Sequence, residues 1–246
     1  MKPRFTDRLR RRAASIATLF LVMGVSSMNA ATNNQEQIAL EVVIYQALPT
    51  ISAANYGALR AEAAPGFASL PGFLDLSHYR NEAGDRYADL VWWQNRAAWE
   101  AAPEQAMQDP VLAPLFAATD MTNYTVHAYA RALPPVERVK PTPGHVLEIA
   151  QFRLVAGTTV ADYLGHAQTV RSLLAEWDGF QRMDTLHDAD SGEWIDLVCW
   201  RDRAAADAAM ARIQKEPQAA AWMALIDPKS VRMNHLTHHQ GPEQWR

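Results

Sequence analysis

The sequence predicts an α+β fold made of two tandem ferredoxin-like β-α-β-β-α-β modules packed sheet to sheet. Three observations predict it: a gapless internal repeat, the same order of strand-like and helix-like segments in both copies, and a hydrophobic fraction of 49% with one cysteine among 246 residues. A chain with a single thiol has no internal disulfide, so its stability must come from a packed core.

The repeat organises everything else. Sliding the sequence by 107 positions aligns residues 41–131 with residues 148–238 without a gap. Glu41 meets Glu148, Tyr56 meets Tyr163, and Gly72-Phe73 meets Gly179-Phe180. Asp89-Leu90-Val91 meets Asp196-Leu197-Val198, and Trp93 meets Trp200. Arg96-Ala97-Ala98, Pro110 and Asp120 meet Arg203-Ala204-Ala205, Pro217 and Asp227. A register kept over some ninety residues points to duplication of one structural unit.

The second copy is the plainer text. Residues 146–153 read as a short strand. Thr159 and Asp162 have capping-box spacing, and Tyr163, Ala167, Val170, Leu174 and Trp177 recur at helical intervals until Asp178-Gly179. Residues 180–186 and 194–200 are strands joined by the turn-rich 188–192, which makes a hairpin. Asp202 caps a second, Ala-rich helix, Pro217 opens a short third one, and residues 230–237 close the module as a strand. In the first copy the matching helices contain Pro65 and Pro103, which predict breaks or kinks. The domain plan is therefore a first module at 38–131, a proline-rich linker at 132–145, a second module at 146–238 and a tail at 239–246.

Residues 1–31 predict a signal peptide. Lys2 and Arg4, Arg8, Arg10, Arg11 and Arg12 face one Asp7, and an apolar run over 13–25 follows, too short to cross a bilayer. Small and polar residues over 26–31 set cleavage after Ala30 or Ala31, and the expected location is periplasmic or secreted. Losing six basic and one acidic side chain takes the formal net charge from −4 to −9. Such a chain is a poor partner for nucleic acid, and after signal removal for an anionic membrane.

The strand-helix-hairpin-helix-strand order gives a four-stranded antiparallel sheet with helices on one face, whose open face needs a cover. Two copies cover each other. Three segments carry a resemblance: Trp194-Ile195-Asp196-Leu197-Val198-Cys199-Trp200, the Ala-rich helix after Asp202, and Ala224-Leu225-Ile226-Asp227-Pro228-Lys229-Ser230-Val231. Together they resemble the antibiotic-biosynthesis-monooxygenase-like family of dimeric α/β barrels. Residues 87–93 and 117–120 give a fainter version. The resemblance implies an intrachain pseudo-dimer, leaves further homo-oligomer formation open, and implies oxygen chemistry on a small aromatic or apolar ligand with no dedicated cofactor. Haem-degrading relatives use an asparagine on the first strand and a histidine after the third. Neither strand 41–46 nor 148–153 has an asparagine, and 94–120 and 201–234 have no histidine, so haem degradation is disfavoured.

Glu41 and Glu148 stand on otherwise apolar first strands, sharing a face with Val43 and Tyr45 or with Ala150 and Phe152. Antiparallel pairing with the third strand predicts Glu41 beside Trp93 and Glu148 beside Trp200. A carboxyl in such a setting is a candidate general base, and the alternative is an acid satisfied at the sheet rim. Asp196 and Asp89 either extend a polar site or anchor the strand by hydrogen bonds. Tyr163, Tyr56, Trp200 and Trp93 are candidate ligand-binding aromatics or core residues. The histidines do not repeat, so no metal is expected. His235 and His238 face opposite sides of a strand in a solvated tail, and Cys199 is a small filler where the first copy has Trp92. No phosphate loop, Ser-His-Asp set or Cys-x-x-Cys pair appears. The rival to an oxygenase is a non-catalytic ligand-binding or stress-associated module. The prolines mark the first copy as the one more suited to a scaffold.

Overall fold

The computed structural model describes residues 38–134, 136, 137, 142 and 144–238; the expected signal peptide and tail lie outside them. The first module runs β1 (Ala39–Ala47), α1 (Ala53–Ser69), β2 (Phe73–Arg80), β3 (Arg86–Trp93), α2 (Arg96–Gln108), α3 (Ala113–Ala118) and β4 (Thr119–Arg131). A two-residue β5 (Val136–Glu137) lies in the linker. The second module repeats the order with β6 (Val146–Phe152), α4 (Val160–Ala175), β7 (Phe180–Asp188), β8 (Glu193–Trp200), α5 (Arg203–Ile213), α6 (Pro217–Met223) and β9 (Arg232–His238).

Each module is a four-stranded antiparallel sheet, ordered β4-β1-β3-β2 and β9-β6-β8-β7. The two sheets close on each other. At one seam Tyr79 and Arg80 pair with His238 and Thr237; at the other Ala130 and Arg131 pair with His187 and Leu186. The result is an eight-stranded barrel, and β5 extends the second seam by pairing Val136 with Met183. The barrel leaves neither sheet with an open edge among these strands.

Strand alternation sorts the side chains. Leu40, Val42, Ile44, Ala88 and Leu90 of the first sheet meet Leu147, Ile149, Ile195, Leu197 and Leu236 of the second inside the barrel. The opposite faces of both sheets pack under the helices. β8 is buried at every position because both of its faces are covered. A buried polar bridge ties the modules: Tyr129 donates to Glu193 across 2.6 Å, and Gln151 donates to Tyr129 across 3.0 Å.

Helix starts follow the expected capping chemistry. Thr159 accepts from the Asp162 N–H, and Asp202 from that of Ala205; Ser52 and Asn95 do the same in the first module. Pro65 and Pro103 do not break their helices: α1 and α2 run through them. Each proline removes one N–H from the ladder, toward the carbonyl of Ala61 or Trp99, and burial of Ala63, Ala64, Ala102 and Ala106 against the core outweighs that loss. Gly72 and Gly179 take the left-handed conformation, both at φ 79°, where α1 and α4 hand over to β2 and β7.

Candidate functional site

The sheet face under the helices of the first module is where chemistry-bearing residues converge. β1 projects Glu41, Val43 and Tyr45 to this side, and β3 adds Asp89, Val91 and Trp93. α1 contributes Tyr56, Arg60 and Phe67, while α2, α3 and β4 close the space with Ala106, Phe116 and Tyr124. Together they line a cavity of about 110 Å³. One water takes about 10–15 Å³ of such space, so it has room for a small ring compound.

Glu41 is partly buried, with the indole Nε1 of Trp93 donating to its Oε2 across 2.8 Å. The expected neighbourhood of Glu41 and Trp93 is thus present, produced by the Ala39–Trp93 and Glu41–Val91 register of β1 and β3. Burial pushes the carboxyl up to about 7, against the opposing pull of the Trp93 hydrogen bond, and the negative charge of Asp89 adds to the rise. A carboxyl so tuned changes protonation near neutral pH. Burial also drives the Tyr124 phenol well above its ordinary value, with Glu41 adding to the effect, so it stays a neutral hydroxyl.

A second polar group lies further along β1. Arg60 Nη1 donates to Asp89 Oδ2 across 2.9 Å and to the Tyr45 hydroxyl, which donates onward to Asp89 across 3.1 Å. His78 Nδ1 meets the other Asp89 oxygen at 2.7 Å. Burial would raise the Asp89 carboxyl, but the Arg60 guanidinium and the His78 hydrogen bond hold it below its ordinary value. Asp89 therefore stays ionised. Tyr56 shares a hydrogen bond with Thr119 at 2.8 Å at the cavity wall.

The second module treats the same positions differently. Glu148 pairs with His235 Nε2 at 3.0 Å, while Trp200 Nε1 is buried without a hydrogen-bond partner, so the predicted Glu148–Trp200 neighbourhood makes no hydrogen bond. His235 is thereby a partner of the sheet and not part of a solvated tail, and His238 packs edge-on against Tyr79 at 5.1 Å. Asp196 accepts from Thr185 at 2.7 Å and from Tyr163 at 3.4 Å, and Tyr163 packs on Trp194. Lacking a direct arginine, Asp196 is pushed by burial up to about 7. Trp177 and Trp222 stand where the first module has Leu70 and Leu115, two residues of the cavity wall.

Sequence reasoning missed Arg60, Tyr45, Tyr124, Thr119 and His78. One signal was available: Arg60 lies one turn after Tyr56 on the buried face of α1, where the second copy has Ala167. A cation on an apolar stripe needs a buried partner. Among the described residues no group of three or more His, Cys, Asp or Glu is arranged to hold a metal ion. Cys199 is buried, its thiol raised to about 12, as suits a filler.

By sequence, no family model and no curated protein matches the chain. By structure it is similar to an anthrone oxidase-like protein, with a TM-score of 0.62 at 12% identity over 83% of this chain and 92% of that one. It is also similar to a candidate monooxygenase from Fusobacterium nucleatum, with a TM-score of 0.60 at 8% identity over 82% and 92%. A third likeness is to a ferredoxin-fold protein from Listeria monocytogenes related to antibiotic biosynthesis monooxygenases, with a TM-score of 0.51 at 10% identity over 83% and 97%. Each covers more than four-fifths of this chain and so takes in both modules. The chain has the ferredoxin-type, monooxygenase-like barrel fold.

Proposed function

We propose that the first module binds a small aromatic or otherwise apolar molecule in the cavity beside Glu41 and promotes its oxygenation without a dedicated cofactor. The observation that carries this reading is Glu41 itself: a carboxyl held by the Trp93 indole, facing an apolar cavity and titrating near 7. In its ionised form Glu41 takes a proton from a phenol or an activated C–H of the ligand. The resulting electron-rich anion is the species that reacts directly with molecular oxygen. Val43, Phe67, Leu70, Val91 and Phe116 exclude water around it.

This moves the working site from the second module to the first. Glu148 is engaged by His235, and the positions matching the cavity-wall residues Leu70 and Leu115 carry the larger Trp177 and Trp222. The test is substrate-dependent oxygen uptake by the purified protein across quinol and polyphenol panels. Uptake lost in Glu41→Gln and kept in Glu148→Gln is the expected result. Ligand binding with no uptake in air supports the non-catalytic alternative, and neither binding nor uptake overturns both.

We also propose export, on the strength of the basic and then apolar run over residues 1–25. N-terminal sequencing of protein from the exported fraction is expected to begin at Ala31 or Thr32. Recovery only as the full-length chain inside the cell overturns it.

A further inference from the structure

We propose that Arg171 and Asp196 form a pH-operated clasp on the start of the linker: Arg171 grips the linker at Pro134 while Asp196 keeps its proton, and turns to Asp196, freeing the linker, once that proton is lost. The proposal stands apart from the ligand site of the first module.

The linker leaves β4 along β7. The N–H groups of Ala132 and Leu133 donate to the Thr185 carbonyl at 3.0 and 3.4 Å, Leu133 packs against the cluster around Phe152 and Tyr163, and Val136 and Glu137 pair with Met183 and Arg182. Between these two attachments the Pro134 carbonyl accepts from Arg171 Nη2. Thr185 also reaches the other half of the device, because its hydroxyl donates to Asp196 at 2.7 Å. Linker and aspartate thus meet at one residue of β7, and Arg171 is bonded to the linker one residue beyond Leu133.

Arg171 is not fully used in this arrangement. It is 0% exposed, and its Nε and Nη1 are closed to water and without a hydrogen-bond partner. Buried donors without acceptors are rare. Nothing from solvent reaches these two, so the acceptor they lack has to come from inside the protein. Asp184 does not supply it, since Arg131 and Arg182 already hold its two oxygens. The other carboxyl whose charge favours Arg171 is Asp196, and its own bonds come from two neutral groups, Thr185 and, at 3.4 Å, Tyr163. Tyr163 and Arg171 lie eight residues apart on the buried face of α4.

Protonation decides which acceptor wins. A neutral Asp196 carboxyl attracts a guanidinium weakly, and the linker carbonyl keeps it. An ionised Asp196 is a buried anion, which is costly without a cationic partner. Arg171 is the cation beside it, and a bond between two charged groups is stronger than one to a neutral carbonyl. The other charged or titratable groups around the pair are Tyr163 on the same helix, Glu148 on β6, Asp184 on β7 and Arg131 on β4. Glu148 is paired with His235 and Asp184 with two arginines, which leaves Asp196 as the group that changes charge. Burial pushes Asp196 up to about 7, so the linker is held below neutral pH and released above it. The first module has Ala64 at the Arg171 position and lacks this device.

Hydrogen exchange of the full chain tests the clasp. The amides of Ala132, Leu133, Val136 and Glu137 are expected to lose at least tenfold in protection factor between pH 5.5 and pH 8.5. Those of β8 are expected to stay far better protected at both values, which places the change in the linker and not in unfolding. In Asp196→Asn, whose side chain stays neutral, the linker amides at pH 8.5 are expected within twofold of their wild-type protection at pH 5.5. Arg171→Met is expected to lower them at both pH values and to remove the pH dependence; if it fails to fold, Asp196→Asn decides alone. Equal protection of the wild-type linker at the two pH values, or the same loss in Asp196→Asn, overturns the clasp. So does a parallel loss in β8, because the linker then only follows unfolding of the whole chain.

Discussion

Asp89 and Asp196 occupy the same register position in the two repeats, facing Val43 on β1 and Ala150 on β6, yet their ionisation is driven in opposite directions. Arg60 and His78 hold Asp89 below its ordinary value after burial has raised it, whereas burial carries Asp196 up to about 7 with only neutral donors bonded to it. The difference comes from two positions: His78 of β2 is replaced by Thr185 in β7, and Arg60 of α1 by Ala167 in α4. The buried arginine of α4 is Arg171, one turn beyond the Arg60 equivalent, and its Nη2 donates to the Pro134 carbonyl instead of to the aspartate.

Asp196 makes stability fall with rising pH. Its folded pKa lies above the unfolded value near 3.8, so the native state holds the proton longer. Below about pH 4 both states are protonated and there is no penalty. Between about 4 and 7 the unfolded chain ionises first, and stability declines by an amount on the order of 4 kcal/mol at most. Asp196→Asn, which can still accept from Thr185, is expected to flatten this decline and to be at least as stable as wild type at pH 8. Urea denaturation at pH 5 and pH 8 checks it. An unchanged slope between the two pH values refutes the assignment.

Glu41 supplies the corresponding prediction for activity. With the carboxyl raised to about 7, the basic form grows as pH climbs through that value, so turnover is expected to rise through about pH 7 and then level. Glu41→Gln is expected to lower turnover by roughly a hundredfold or more, the usual range for losing a general base. Trp93→Phe removes the indole donor that lowers this carboxyl and is expected to move the midpoint upward. Initial rates of oxygen uptake against pH report both effects.

Much of the architecture was legible from the repeat alone. A gapless register at a shift of 107 positions and the caps at Thr159 and Asp202 pointed to two like modules. The mutual cover of the two sheets followed from having one open face each. The site was less legible because its asymmetry arises where the copies differ. Glu41 and Glu148 are identical letters, and only tertiary placement gives one Trp93 and the other His235. Proline was a misleading signal: Pro65 and Pro103 sit inside α1 and α2, helices they were expected to break or kink, and Pro103 forms part of the cavity wall. The module marked by sequence as a scaffold is the one that holds this cavity.

Leu115 tests the cavity by filling it. The second module carries Trp222 at the matching position, packed edge-on against Phe152 at 6.4 Å, so the fold accommodates an indole there. Leu115→Trp is expected to fold with a melting temperature near that of wild type, because the added volume enters open space and not a filled core. Ligand affinity is expected to drop at least tenfold. Calorimetric titration with a small aromatic ligand, alongside a melt, separates the two outcomes; undiminished binding places the ligand elsewhere.

Gly179 tests the handover from helix to strand, the joint that aims each module's hairpin. At φ 79° a side chain is strained, and a Cβ there would lie 2.3 Å from the Cβ of Ala205 on α5. The glycine carbonyl also accepts from the Arg201 N–H at 2.7 Å, so the backbone has little freedom to retreat. Gly179→Ala is expected to cost about 2–4 kcal/mol, the sum of a left-handed penalty of about 1–2 kcal/mol and overpacking of similar size. Adding Ala205→Gly removes the methyl that the new Cβ would strike but not the backbone strain. The double variant is therefore expected to recover about half of the loss beyond the cost of Ala205→Gly alone. A double-mutant cycle in urea measures this coupling directly. Additive effects would mean that the close approach of α5 to this turn contributes nothing, leaving the left-handed conformation as the whole reason for glycine.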